Sequence, residues 1–472
     1  MRDYQIVVLW SDVLVWLLLA AGIGLGALIA KSPPLLAAWR RVSANRIGMA
    51  AAIVLLAFIG IGLLDSLHVR AALESDSAEA RGQERQYAIE VLSLLDLLVT
   101  PLRTENEKTY SAPFATRLYA METLEMPGLG TVRDYPRLKY GASHLGERED
   151  QVLADAASTA LQLGALALFV WLALASTAAL AVGGWRTGSA WAGWRRIWRG
   201  ETAFAWNAVL ATLAAMMLIA LPLFALAGQY HVFGTDKVGQ DVLYQILKSV
   251  RTALIIGLVT TLVMLPLAVL LGIVAGYFRG WVDDLIQYLY TVLNSIPGVL
   301  LIAAAVLMMQ VVIDTHPQWF ATAAERADLR LLALCFILGI TSWTSLCRLL
   351  RGETLKLREL EYIQAAQAFG VSSTRIILRH ILPNLMHIVI IALVMDFSGL
   401  VLAEAVLSYV GVGVDPTMTS FGTMINNARM ELGREPVVWW SLAAAFGAMF
   451  LLVLAANLFA DAVRDAFDPR MG

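Results

Sequence analysis

Two carboxylates, Asp396 and Glu404, stand eight residues apart inside an apolar run from 385 to 410. A charge in hydrocarbon is costly and usually faces protein or a water-filled cavity, and a separation of eight puts both groups on roughly one side of a helix. They could line a translocation path, carry coupling protons along it, or make the hydrogen bonds and ion pairs that order helix packing. The spacing alone does not choose among these. Asn294 and Ser295, beside Pro297, form a weaker group of the same kind; a proline within a membrane helix should bend it and free a carbonyl. Catalytic signatures are absent from the sequence. Without a GxxxxGK[ST] phosphate loop the chain cannot by itself be an ATP-hydrolysing subunit. It has no HExxH, and its six histidines, at 68, 144, 231, 316, 380 and 387, do not cluster at metal-ligand spacing. Neither an enzyme nor a metal or cofactor site is expected.

A different kind of chemistry is offered by the polar and small-residue island EYIQAAQAFGVSSTRIILRHILPN, from Glu361 to Asn384. Its first half reads as a short helix ending at Gly370, since glycine most easily takes the left-handed C-cap conformation. A second short helix is expected from Ser372 or Ser373, whose hydroxyls can cap it, to just before Pro383. Ala365, Ala366 and Gly370 leave little side chain on one face, so another protein could approach the backbone there. Arg375 and Arg379, four apart, add charge on one face of the next helix. The competing reading is an ordinary basic loop.

The elements that must position these residues follow from composition. Of the 472 residues 59% are hydrophobic and 15% charged, which makes an all-α polytopic membrane protein the class expected. The net charge of −2 gives no indication of a nucleic-acid partner. Cys335 and Cys347 lie roughly 18 Å apart along one helix and cannot pair there. About nine spans meet the length criterion: 6–30, 47–65, 155–183, 203–227, 250–276, 283–313, 330–350, 385–410 and 437–459. The first is read as a retained helix, not a signal peptide, because Arg2 is offset by Asp3 and the apolar run is long. Lys31, Arg40, Arg41 and Arg46 follow the first span, and Arg186, Arg195, Arg196 and Arg199 follow the third, without acids. By the positive-inside rule both loops are cytoplasmic, as is the 361–384 island, so the N-terminus is outside and the C-terminus inside.

Residues 66–154 are then an external insert, with an amphipathic stretch from Glu84 to Leu98 at helical spacing and a loop-rich remainder. Trp185, Trp191, Trp194 and Trp198 interleave with the second basic loop and suit an interfacial helix in the headgroup zone of the bilayer. HVFGTDKVGQD, His231 to Asp241, reads as a structured external loop: Gly234 and Gly239 for turns, Asp236 and Asp241 to cap a short helix leading to Arg251.

At Glu361, Ala365, Ala366, Gly370 and Pro383 the sequence resembles the EAA loop of ABC importer permeases, and Arg-His-Ile-Leu-Pro-Asn at 379–384 resembles that family's dipeptide/oligopeptide/nickel branch. Gly234-Thr235-Asp236, Gly239 and Asp241, then Gly280-Trp281-Val282-Asp283, Ile296-Pro297-Gly298, Leu407 to Gly413, Ser420-Phe421-Gly422 and the closing DAVRDAFDPR resemble the same branch in the same order. Gln240 stands where the family usually has Arg. The resemblance implies a type I importer core over 230–472 with an EAA-type loop at 353–384, preceded by two helices in 1–65, the insert, and two more helices in 155–229. WRRVSANR at 39–46 and WRRIWR at 194–199 both resemble the stretch before the family's first helix; the motif favours the former, adjacency the latter. It further implies an inner-membrane permease for peptides or related solutes that holds no cofactor. ATP and Mg would sit on two partner ATPase subunits, with a second homologous permease and a solute-binding protein completing the assembly. The reading outside this family is a proton-coupled secondary transporter working through Asp396 and Glu404.

Overall fold

The computed structural model describes residues 4–72, 87–126, 130–146, 148–184, 190–320 and 322–467. It is 75% helical, and among the described residues nine helices are long and apolar enough to cross a membrane. The helices include α1 (Trp10–Lys31), α2 (Pro33–Ala44), α3 (Arg46–Asp65), α4 (Val152–Ala179), α5 (Ala190–Arg199), α6 (Trp206–Ala227), α7 (Val242–Phe278), α8 (Trp281–Ser295), α9 (Gly298–Thr315), α10 (Ala323–Ser342), α11 (Thr344–Arg358), α12 (Glu361–Ala368), α13 (Ser373–Ile376), α14 (Leu382–Val410), α15 (Phe421–Glu431) and α16 (Trp440–Phe467), with two five-residue helices at Leu94–Leu98 and Thr100–Thr104. The chain divides into two compact units. One comprises Met1–Val8, Pro33–Thr252 and Thr419–Phe459; the other comprises Leu9–Ser32, Ala253–Met418 and Ala460–Gly472.

In the first unit α6 packs beside α3 and α4. At one end the two basic stretches meet: Ala205 donates its N–H to the Ser43 carbonyl at 2.9 Å, and Asn45 caps α3 by accepting from Gly48 N–H at 3.0 Å. Trp194 packs edge-on against Trp171 and stacks on Trp198, while Trp191 stays 66% exposed, so α5 is an amphipathic helix as its pattern suggests. Trp185 and Arg186 lie outside the described residues. At the other end Tyr4–Val7 (β1), His68–Ala71 (β2) and Leu92–Ser93 (β3) form an antiparallel sheet in the order β1-β2-β3, and Glu122–Met126 (β4) pairs with Gly130–Asp134 (β5). The expected amphipathic helix over 84–98 is shorter: only Leu94–Leu98 is helical. Ser93 and Asp96 form a reciprocal capping box that starts the helix there. Residues 84–86 lie outside the described set.

In the second unit α7 and α11 approach closely at small residues. A Cβ on Gly272 would lie 2.8 Å from the Cys347 carbonyl oxygen, and one on Gly276 would lie 2.6 Å from Thr354 Cβ. This four-residue glycine spacing lets helix backbones touch where hydrophobic burial gives no drive. On the far side of α7 a Cβ on Gly339 of α10 would meet Val263 Cβ at 2.6 Å.

Two expectations fail at prolines. The span expected over 283–313 is broken into α8 and α9. Pro297 lacks an N–H and biases its neighbour to extended backbone, so Ile296 sits at φ −91°, ψ 130°, and Pro297 becomes the first acceptor of α9, taking N–H groups from Leu300 at 2.9 Å and Leu301 at 3.1 Å. Conversely, the helix expected to stop before Pro383 does not stop. α13 passes through a π turn at Ile377–Ile381 into α14, one helical run of 38 residues. The wider turn makes room for a ring that would otherwise clash with the carbonyl four residues earlier. The helix leading to Arg251 is also not short; it is the start of the 37-residue α7.

Gly276→Leu should therefore cost about 1–3 kcal/mol through overpacking, read as a lower thermal unfolding midpoint of the purified chain. Gly164→Leu, where a Cβ meets nothing within 4 Å, should stay close to wild type; equal losses would refute the close-contact account.

Candidate functional site

The 361–384 island folds as α12, a left-handed turn and α13. Gly370 has φ +75°, and Val371 N–H closes onto the Ala366 carbonyl at 3.0 Å, a Schellman-type end that needs glycine for its backbone. Neither serine hydroxyl caps α13; Ser372 contributes its carbonyl, which accepts from Ile376 N–H at 3.1 Å. Ile363, Ile376 and Ile381 are fully buried in a core with Leu346, Leu350, Ile273 and Leu385, and Ala366 packs against it. The opposite face points outward: Glu361, Ala365, Ala368 and Gly370 are exposed, with Tyr362 at 47% and Phe369 at 88% exposure. Arg375, Arg379 and Pro383 are also exposed. At the base of the loop Arg351 grips Asp283 with two hydrogen bonds of 2.6 and 2.7 Å. Arg358 donates to the Tyr277 carbonyl at 2.7 Å, and Arg279 pairs with Glu359.

The 234–241 loop is held from many sides. Gly234 has φ +71° and Gly239 φ +77°, and a Cβ on Gly239 would lie 1.8 Å from the Glu107 carbonyl oxygen, so both positions require glycine. Thr235 is fully buried; its hydroxyl accepts from Ser111 N–H at 2.7 Å and donates to the Thr109 carbonyl at 2.9 Å, while Trp440 Nε1 donates to its carbonyl at 3.0 Å. Asp236 accepts from Val238 and Gln240 N–H, both at 2.9 Å, and ties Gln245 at 2.7 Å. Asp236 thus closes the loop, and only Asp241 caps α7, accepting from Leu243 N–H at 2.7 Å. Gln240 makes a neutral hydrogen bond to Gln245 at 3.1 Å.

The group at the centre of this network is His231. Its Nδ1 meets Asp241 Oδ2 at 2.8 Å and its Nε2 lies 3.6 Å from Glu107 Oε1. Burial alone would lower the imidazole pKa, but the Asp241 and Glu107 contacts outweigh it and raise it to about 9. Glu107 is pushed up by burial yet held at about 2 by His231 and by the N–H groups of Lys139, Tyr140 and Gly141, which donate to it at 2.9, 2.7 and 3.1 Å. Nearby, Lys248 reaches Asp65 at 2.6 Å and Asp96 at 3.1 Å. Burial opposes ionisation of Asp96, but Lys248, the Ser93 N–H and the Tyr244 hydroxyl prevail and lower its pKa.

Asp396 and Glu404 have different surroundings despite their spacing. Glu404 is 2% exposed and accepts from the Ser408 hydroxyl at 2.6 Å; Asp396 is half-buried and lines a groove. Asn294 accepts from the Thr344 hydroxyl at 3.1 Å, and Pro297 is exposed at the break between α8 and α9. Among the described residues no cluster of three or more His, Cys, Asp or Glu could hold a metal.

A protein-family profile described as binding-protein-dependent transport system inner membrane component matches residues 268–472. The oligopeptide transport system permease protein OppC of Mycobacterium tuberculosis is 30% identical over 282 residues, spanning 56% of this chain and 90% of the relative. The glutathione transport system permease protein GsiD of Pectobacterium atrosepticum is 32% identical over 299 residues, spanning 59% and 91%. The dipeptide transport system permease protein DppC of Lactococcus lactis is 29% identical over 240 residues, spanning 51% and 64%. This chain belongs to the peptide branch of the ABC importer permease family.

In this permease the glycine turn of the 361–384 loop lies where the sequence placed it, but the expected small-residue face is split: Ala365 and Gly370 are exposed whereas Ala366 packs against the core, and Phe369, the most exposed large side chain of the loop, was passed over. An isolated aromatic within a polar segment was the available signal. His231 was read as the start of the 231–241 loop and as a histidine without metal spacing, not as an ion-pair centre, and Glu107 was not singled out, because the partners lie 124 residues apart in the chain.

The pH dependence of this network has a definite sign. The His231 contribution is complete below its ordinary value of 6.5 and is lost as pH rises through about 9. That of Glu107 is complete above 4.5 and is lost as pH falls through about 2. Unfolding of the purified permease should thus show an alkaline stability loss on the order of 3 kcal/mol, absent in His231→Gln, which starts from a lower plateau. An unchanged alkaline slope in that variant would disprove the assignment.

Proposed function

We propose that this permease is the translocation subunit of an ATP-driven importer for peptides or related small solutes. The observation that carries the reading is the 361–384 loop. Three buried isoleucines fix it to its own unit, while Phe369, Ala365, Ala368 and Gly370 are presented outward. Such an exposed aromatic amid small residues suits a pocket on a partner, here one of two ATPase subunits that carry ATP and Mg. Closure of those subunits would push the loop and rock the attached helices between inward- and outward-facing states. Glu361, Arg375, Arg379 and Pro383 belong to the same contact surface, and Asp396 is assigned to the path.

The remaining assembly follows the family. A second homologous permease covers the apolar outer face of α8 and α9, where Tyr288, Leu300 and Met308 are 65–73% exposed. A solute-binding protein delivers the substrate to the outer side. The basic stretches at 31–46 and 195–199 favour an inner-membrane orientation with the N-terminus outside and the C-terminus inside. On this reading 230–472 is the permease core, 66–154 an external insert carrying the Glu107 contact to the 234–241 loop, and 1–65 and 155–229 supply two helices each. A secondary transporter is not favoured, since Glu404 is engaged with Ser408 and family membership points elsewhere.

Phe369→Asp should weaken ATPase co-purification by about 2 kcal/mol or more and abolish uptake without lowering the amount of folded permease, and Gly370→Asp should do the same to binding and uptake while also straining the left-handed turn. Uptake that survives both changes but collapses with the proton gradient would overturn the reading in favour of ion coupling.

A further inference from the structure

We propose that the open groove in the second unit, lined by the end of α10, α11, α14 and the end of α16, is a subsite for a zwitterionic peptide, Asp396 taking its ammonium group and Arg464 its carboxylate. This rests on the peptide-importer reading and adds the side chains that would recognise the two ends of the substrate.

The groove encloses about 460 Å³ and is bordered by Asp396 and Arg464, the hydroxyls of Ser342 and Ser345, and apolar side chains such as Leu346 and Met395. That volume lies in the range of small-molecule sites, which are largely apolar with a few converging polar groups. Neither Asp396 nor Arg464 makes a hydrogen bond or ion pair among the described residues. The buried acids Asp283, Glu404, Asp328 and Asp415 of this unit are satisfied, by Arg351, Ser408, Ser11 and Arg330. An unpaired carboxylate within a spanning helix is costly and marks a site that something else completes. One negative and one positive group facing a common space, with no net charge between them, fit a ligand carrying both charges. The serine hydroxyls can serve peptide N–H and C=O groups, and the apolar wall can take side chains.

A phosphatidylethanolamine headgroup has the same ammonium-and-anion chemistry. Arg464 lies in the last turn of α16, but Asp396, which would take the ammonium group, is 14 residues from Val410 and 23 from Ser373 at the ends of its helical run, about 21 and 35 Å at 1.5 Å per residue. Headgroups lie at the membrane surface, so the soluble peptide is the ligand to which the site commits.

The test uses the complete transporter in proteoliposomes made with and without phosphatidylethanolamine, the binding protein being saturated with dialanine, N-acetyl-dialanine or dialanine amide. Wild type should move dialanine about tenfold faster than either blocked peptide, whatever the lipid. Asp396→Asn should abolish the preference for dialanine over N-acetyl-dialanine while keeping that for dialanine over its amide; Arg464→Gln should abolish the preference over the amide and keep that over the N-acetyl peptide. Equal rates for free and blocked peptides in wild type, a loss affecting all three alike in the variants, or rates set by phosphatidylethanolamine alone would each overturn the subsite. If a variant fails to retain its ATPases, Asp396→Glu and Arg464→Lys replace it, and the wild-type comparison still decides. A wild-type complex that moves no peptide would overturn the importer reading as well, whereas peptide transport indifferent to both end groups and both variants overturns only the subsite.

Discussion

The ion pair system of Glu107, His231 and Asp241 is the constraint around which the first unit is organised. Glu107 comes from a long loop-rich segment, where a chain of this composition has little to fix its backbone. By accepting three successive N–H groups from Lys139, Tyr140 and Gly141 it folds that segment on itself. By facing His231 it ties the segment to the turn that opens α7, and Asp241 passes the constraint to the N-terminus of that helix. A buried charge is tolerated only when paired and hydrogen-bonded, so removal of any one partner strands the others. Gly239 shows how tight the arrangement is, since only a residue without Cβ lets the Glu107 backbone pass. The 66–154 segment is therefore tied into the folding of the Gly-Thr-Asp loop.

The second unit solves a different problem with different means. Between helices in lipid the hydrophobic effect supplies no drive, and backbone proximity must substitute. Gly272, Gly276 and Gly339 provide that proximity on two faces of α7, and the Arg351–Asp283 fork fixes the start of α8 against α11. The loop at 361–384 inherits its position from this core, because Ile363, Ile376 and Ile381 enter the same cluster as Ile273 and Leu350.

Where one local rule dominates, the sequence was sufficient. Apolar length placed nine spans, the glycine after Ala368 and Phe369 placed a left-handed helix end at Gly370, and the Asp before a helical run placed the Asp241 cap. Proline was misjudged in both directions. Pro297 was expected to bend a helix and instead separates two, since the extended Ile296 leaves no helical path. Pro383 was expected to end a helix and is instead carried by a π turn, a hydrogen-bond pattern with no compositional mark. The network of Glu107 was illegible because it depends on long-range contacts, and Phe369 because its exposure is decided by which isoleucines of the loop are drawn inward.

These two prolines give the proposed mechanism its mechanical form. Pro297 makes a joint, with exposed polar neighbours and no helical hydrogen bond carried across Ile296. Through the π turn at Ile377–Ile381 the chain keeps a single helical run of 38 residues from Ser373 to Val410, about 57 Å long at 1.5 Å per residue. A displacement applied beside Gly370 would then be carried along one lever and felt near its middle, where Asp396 faces the groove. A loop that ended its helix before Pro383 would dissipate the same displacement in a hinge. Continuity at Pro383 and discontinuity at Pro297 are thus complementary under the proposed mechanism: the first would conduct movement from the exposed face of the 361–384 loop into the spanning helices, and the second would let a neighbouring helix pair yield to it.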